Sequence, residues 1–187
     1  MRDFLIDTQT VRYWYDSECS ENRAVVANIK SLREQVESSE HKPRLLISVI
    51  TLGEIEFGHR VNPSPNPSVQ ADYLRFVSER LPECMEVTRD AAAVFGELRQ
   101  RLFDRYAPGE KRRPKMRPEQ LIDPITSKEL GIQENDLWLC AQAIGHEMVL
   151  VTNDGMRRIR EVSQGMQPHL LLQDWTVPNA ARIEWRN

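Results

Sequence analysis

Short, unbroken apolar runs alternate with longer stretches of helical spacing along this chain. Phe4-Leu5-Ile6 closes on Asp7 and predicts a short buried strand. Leu45 to Ile50 and Met148 to Thr152 are continuous apolar runs of the kind found in parallel strands buried on both faces. Cys84 to Val87 and His169 to Leu172 predict two further strands. Between them the period changes. Val25, Ile29, Leu32 and Val36 recur at three- and four-residue steps and predict a helix over 24–38. Val11, Trp14 and Tyr15 do the same for 8–18, and Tyr73, Phe76, Val77 and Leu81 for 69–81. Residues 90–103 and 135–146 read as two more helices, the first with Asp90 as N-cap. Thr51 is placed to cap the helix after the second strand, with Glu54 at capping-box spacing. Strands alternating with helices predict an α/β fold with a parallel sheet.

Two segments interrupt this rhythm. Asn62 to Pro67 holds three prolines in six residues and predicts a loop. Residues 104–130 carry Pro108, Pro114, Pro118 and Pro124, and the run Lys111-Arg112-Arg113-Pro114-Lys115-Met116-Arg117, five of whose seven residues are basic. A loop this long in a compact domain is usually functional or disordered. Its Lys111, Arg112, Arg113, Lys115 and Arg117 could contact phosphates, or form a solvated strip that pairs with an acidic partner. No internal repeat or second domain is expected. The reading is one domain over 1–176, with an insertion at about 104–130 and a tail over 177–187.

Composition narrows the class. The chain has 187 residues, 40% hydrophobic and 28% charged, as in ordinary globular domains. No apolar run approaches the roughly 18 residues needed to span a bilayer. A strand that begins at Phe4 leaves no room for a signal peptide. Cys19, Cys84 and Cys140 form no CxxC pair and predict reduced thiols in a cytoplasmic protein. A net charge of −3 argues against non-specific coating of nucleic acid, but not against an enzyme that grips it locally.

Candidate chemistry lies in four acids. Asp7 and Asp154 follow apolar strands, Glu54 lies in the first turn after the second strand, and Asp136 opens a helix. The carboxyl ends of parallel strands converge on one crevice where ligands bind. Four carboxylates gathered there would repel one another unless neutralised. Divalent, oxygen-seeking Mg²⁺ or Mn²⁺ would do that, which points to metal-dependent phosphodiester chemistry. Any one of Glu54, Asp136 or Asp154 alone reads as a helix cap or dipole complement. Caps do not explain why all four fall at strand ends and helix starts. Neither a P-loop nor GxGxxG is present, which disfavours nucleotide-dependent classes. Asp7-Thr8-Gln9-Thr10 faintly resembles phosphatases with a nucleophilic Asp, but Gln9 stands where those carry their second Asp. Trp14, Trp138 and Tyr73 could stack on bases, though such spacing more often marks core. Asp123 reads as a loop acid, and His59 and His146 as surface or helix-end residues.

At Phe4-Leu5-Ile6-Asp7-Thr8, Ile47 to Gly58, Asn135-Asp136-Leu137-Trp138-Leu139-Cys140-Ala141 and Leu150-Val151-Thr152-Asn153-Asp154, with Asp174-Trp175 near the end, the chain resembles PIN-domain nucleases. It is most similar to the VapC-type toxins of bacterial toxin–antitoxin pairs. The resemblance covers roughly 1–103 and 131–176; the segment 104–130 is longer than expected for such toxins. It implies a three-layer α/β/α sandwich around a central parallel sheet. It implies that Asp7, Glu54, Asp136 and Asp154 hold Mg²⁺ or Mn²⁺ and carry catalysis. It makes Thr8, Asn135, Thr152 and Asn153 supporting or substrate-contacting residues. The implied activity is metal-dependent RNA hydrolysis by a homodimer held in check by a cognate antitoxin, with no membrane partner. An RNA-processing nuclease that is not a toxin, or a non-catalytic PIN interaction module, are the alternatives.

Overall fold

The computed structural model describes residues 1–37, 39–40, 42–109 and 115–185. The elements run β1 (Phe4–Ile6), α1 (Thr8–Tyr15), α2 (Asn22–Gln35), β2 (Leu45–Ser48), α3 (Val49–Val61), α4 (Pro67–Arg80), β3 (Cys84–Met85), α5 (Arg89–Tyr106), α6 (Glu134–Gly145), β4 (Val149–Val151), α7 (Arg157–Ser163) and β5 (Leu171–Gln173). The sheet has the order β3-β2-β1-β4-β5. β1 pairs in parallel with β2 and β4, matching Ile6 with Ile47 and with Val151, and β2 pairs in parallel with β3. The α/β class with a central parallel sheet is therefore as expected. Every residue of β1 and β4 is buried, which is why those strands read as unbroken apolar runs rather than alternating ones.

The chain divides into two compact units: residues 1–86, 147–154 and 172–187 in the first, and 87–146 and 155–171 in the second. In the first, α1 packs with α2, α3 and α4, and Phe4 meets the fully buried Trp175 at 5.4 Å between ring centres. The tail predicted over 177–187 is tied down as far as it is described. Asn28, 1% exposed, donates to the carbonyls of Trp175 and Val177 and accepts from the Ala181 N–H. The Arg2 N–H donates to the Glu184 carbonyl at 2.7 Å. In the second unit α5 packs against α6 and α7.

Several boundaries differ from the sequence reading. α3 starts at Val49, capped by the Ser48 hydroxyl, which accepts from the Ile50 N–H at 3.0 Å. Thr51 is thus inside the helix and fully buried, its hydroxyl without a partner among the described residues. The run Val49-Ile50-Thr51 reads as strand because β-branched residues favour strands. Thr88, not Asp90, caps α5 through the Ala91 N–H; Asp90 stands in the first turn, where an acid complements the helix dipole. α7 was not expected at all. Within 104–130, the first three residues finish α5. Pro118–Gln120 form a 3₁₀ turn, and an antiparallel bridge joins Ile122 to Glu129. Asp123 organises the turn between them, accepting from the Ile125 and Thr126 N–H groups and pairing with Arg158 at 2.5 Å. No helix among the described residues is long and apolar enough to cross a membrane.

Candidate functional site

Asp7 follows directly on β1, the central strand. It is the N-cap of α1, its Oδ1 accepting from the Thr10 N–H at 2.7 Å. The sequence signalled an acid here but not the fixed orientation that capping imposes. The side chain is only 6% exposed. Burial pushes its carboxyl above the ordinary value of 3.8. Hydrogen bonds from Thr10 and Thr152 oppose that, and the nearby Glu54 charge reinforces it. Thr10 is itself buried, and its hydroxyl also reaches the Val151 carbonyl at 3.3 Å. Nothing in the sequence reading marked Thr10, whose role is to hold another residue.

Glu54 lies in the second turn of α3 and is half-buried. Its Oε2 accepts from the Thr8 hydroxyl in a short hydrogen bond. Thr8 therefore joins the start of α1 to α3, one residue from Asp7. Thr152 is 2% exposed. Besides bonding Asp7, it accepts from the Asp154 N–H at 3.0 Å, so one hydroxyl links Asp7 to the turn after β4. On that turn Asn153 and Asp154 are exposed, and Asn153 donates to the Tyr13 hydroxyl at 3.3 Å. Nothing in the sequence marked Tyr13 as adjoining these residues.

The first unit thus brings together Asp7, Thr8, Glu54 and Thr152, with Asn153 and Asp154 on the adjoining turn. Asp136 and Asn135 belong to the second unit. Asp136 is the third residue of α6, and its Oδ2 accepts from the Gln133 N–H at 3.1 Å, closing a capping box. Of the basic run, Lys115 and Arg117 are exposed; Lys111, Arg112 and Arg113 lie outside the described residues. The aromatic side chains pack as core or near-core groups. Trp138 stacks on Phe95 at 3.9 Å, Trp14 meets Phe76 edge-on at 5.3 Å, and Tyr73 is buried. His146 caps the end of α6, its Nε2 2.9 Å from the Thr88 hydroxyl.

Among the described residues, no group of three or more His, Cys, Asp or Glu side chains stands close enough together to hold a metal ion. The donor chemistry in the first unit nevertheless suits one. The groups around Asp7 are carboxylate and hydroxyl oxygens, the ligand class of Mg²⁺ and Mn²⁺. A buried Asp7 with Glu54 adding to its electrostatic burden is an arrangement that a cation would relieve.

No protein-family model matches the sequence, and no curated protein sequence does. Solved structures do match. A chain of VapBC2 from Rickettsia felis, bound to a DNA fragment from its promoter, is 21% identical with a TM-score of 0.61, over 92% of this chain and 98% of that one. A chain of DNA-bound VapBC from Salmonella typhimurium is 20% identical with a TM-score of 0.58, over 94% and 99%. A chain of VapBC-1 from nontypeable Haemophilus influenzae is 20% identical with a TM-score of 0.57, over 93% and 98%. The fold is PIN-like. At these identities the likeness is one of fold, and it spans the chain. The PIN-like fold puts Asp7 directly after the central strand and Glu54 and Asp154 after the strands on either side of it.

Proposed function

We propose that this protein is a metal-dependent endoribonuclease and the toxin of a toxin–antitoxin pair. The observation that carries the reading is Asp7: a buried carboxylate beside Glu54, at the carboxyl end of the central strand, in a fold shared with chains of VapBC complexes. On this reading Asp7, Glu54, Asp136 and Asp154 hold Mg²⁺ or Mn²⁺, and the substrate is RNA in the cytoplasm. A bound ion lowers the pKa of its water from about 15.7 toward 7, supplying hydroxide at neutral pH.

The chain's own residues orient the ligands. The Thr10 N–H and the Thr152 hydroxyl fix the Asp7 carboxylate, so that rotamer freedom is already lost before a ligand arrives. Thr8 holds Glu54 in the same way. Asn153, exposed beside Asp154, is free to meet substrate, and the exposed Lys115 and Arg117 are cations suited to phosphates. The VapBC structures contain both members of a toxin–antitoxin pair. We extend that to this chain as a cognate antitoxin, together with a homodimeric toxin.

The test is cleavage of total bacterial RNA with Mg²⁺ or Mn²⁺, mapping new 5′ ends, beside Asp7→Asn, Asp136→Asn and chelator controls. New ends that vanish in every control support the nuclease. Ends that persist in the Asn variants refute the site. Growth arrest on expressing the chain alone, relieved by a neighbouring small reading frame, separates toxin from processing nuclease. RNA left intact under all conditions favours a non-catalytic PIN module.

A further inference from the structure

The four acids do not account for a second concave feature, at the opposite edge of the sheet. A cavity of about 700 Å³ opens where the second half of α2 meets the amino ends of β2 and β3. Its volume is within the range of about 300–1,000 Å³ typical of small-molecule sites. Its apolar surface comes from Leu32, Val36, Leu45 and Pro82, of which Leu32 and Val36 belong to the core.

Charged side chains ring this apolar surface. Arg44 is engaged, at 2.7 Å from Asp3 and 2.8 Å from Glu83, and Lys30 faces Glu34 at 3.8 Å. Arg33, Lys42 and Arg80 also line the cavity and have no ion-pair partner among the described residues. Arg33 and Arg80 each stand in the last turn of a helix, where a cation is favoured whatever it faces. That preference does not explain why both converge, with Lys42 from a loop, on one apolar-floored cavity. Nor does it explain why five basic residues line the cavity against three acids, Glu34, Glu37 and Glu83, in a chain of net charge −3.

We propose that this cavity binds a small amphipathic anion. Its apolar body lies on Leu32, Val36, Leu45 and Pro82, and its carboxylate, phosphate or sulfonate head lies among Arg33, Lys42 and Arg80. Arg33, Lys42 and Arg80 outnumber Glu37, the acid of the lining left over from the Lys30–Glu34 and Arg44–Glu83 pairs, and an anionic head offsets that excess. An apolar body gains by leaving water. The proposal is independent of nuclease activity, since the cavity lies at the strand ends opposite Asp7, Glu54 and Asp154.

The probe is 8-anilinonaphthalene-1-sulfonate, titrated into the full chain by fluorescence and calorimetry. The uncharged N-phenyl-1-naphthylamine serves as a head-group control. The expected result is saturable binding of one sulfonate per chain, displaced by dodecyl sulfonate. It weakens at least about tenfold in Arg33→Glu/Arg80→Glu and in Lys42→Glu, the size expected for losing a hydrogen bond to a charged group. Lys128→Glu, an exposed cation on the 122–129 turn, should bind as the wild type does. Melting curves for all variants establish that they are folded. Non-saturable binding, equal affinity for the uncharged probe, or unchanged affinity in the charge-reversed variants would overturn the proposal. So would capture of an acidic peptide in place of the sulfonate.

Discussion

Asp7→Asn separates what this residue does for folding from what it does for chemistry. Asn is as good an N-cap as Asp, so its carbonyl oxygen can still accept from the Thr10 N–H. What disappears is a charge that is buried and raised above the ordinary 3.8 by that burial. An acid whose folded-state pKa is raised lowers stability once it ionises. At low pH, with the carboxyl protonated in both states, the penalty is absent. As pH climbs from 3.8 through the raised folded-state value, wild type therefore loses stability relative to Asp7→Asn. Asp7→Ala is the contrast. It loses the cap, about 1 kcal/mol, and leaves the buried Thr152 hydroxyl without its acceptor, a further cost of about 1 kcal/mol. For a chain of this size each kcal/mol corresponds to roughly 2–4 °C in Tm. At pH 7, in chelator, Asp7→Asn should melt at or above wild type and Asp7→Ala about 4–8 °C below Asp7→Asn, since both lose the buried charge and only Ala loses the cap and the Thr152 acceptor. Neither should cleave RNA. If Asn melts as low as Ala, the account of Asp7 as a capped, uncomfortably buried charge is wrong.

Thr8→Val removes the hydroxyl that donates to Glu54; a hydrogen bond to a charged group in a half-buried site is worth about 1.5 kcal/mol. The expected outcome is a Tm lower by about 3–6 °C and a roughly tenfold fall in kcat measured well below that Tm, and equal kcat would show that Glu54 needs no positioning. Asn28→Ala deletes three hydrogen bonds, two buried and one part-buried, and should cost about 2–3 kcal/mol in urea unfolding. Faster hydrogen exchange should be confined to residues 175–184, and protection there equal to wild type would refute the latch. Asp123 has the opposite sign to Asp7: backbone hydrogen bonds and then Arg158 hold its carboxyl below the ordinary value. Its contribution should be present above pH 3.8 and vanish as pH falls through the lowered folded-state value. A stability difference between wild type and Asp123→Asn that grows on acidification would refute that assignment.

The parts of the fold that were legible in the sequence are those governed by burial on two faces. Phe4–Ile6, Leu45–Ile47 and Val149–Val151 read as inner strands because they are short and unbroken, and an acid after such a strand is visible without coordinates. α7 was hidden because it is only seven residues long, is rich in arginine, and starts after Met156 with a φ of 43°, a conformation no simple rule assigns to methionine. The start of α3 was hidden because β-branched residues at 49–51 imitate a strand until Ser48 caps them. The turn at 122–129 depends on Asp123 meeting Arg158, thirty-five positions away, which no local pattern announces. At the site, the acids were legible by position. Thr10 and Tyr13 were not, because neither type of residue signals that it holds or adjoins another.

The hydrogen bond from Arg2 to Glu184 makes the two ends of the described chain mechanical neighbours. Tension applied across them loads that bond first, and Phe4, where the central strand begins, lies only two residues farther in. The strand that leads into Asp7 is thus the first regular element that a pull on the amino end reaches. An unfoldase or a bulky fusion acting at the amino end would load β1 before it reaches any helix. That places the mechanically first strand next to the residue on which the proposed chemistry depends.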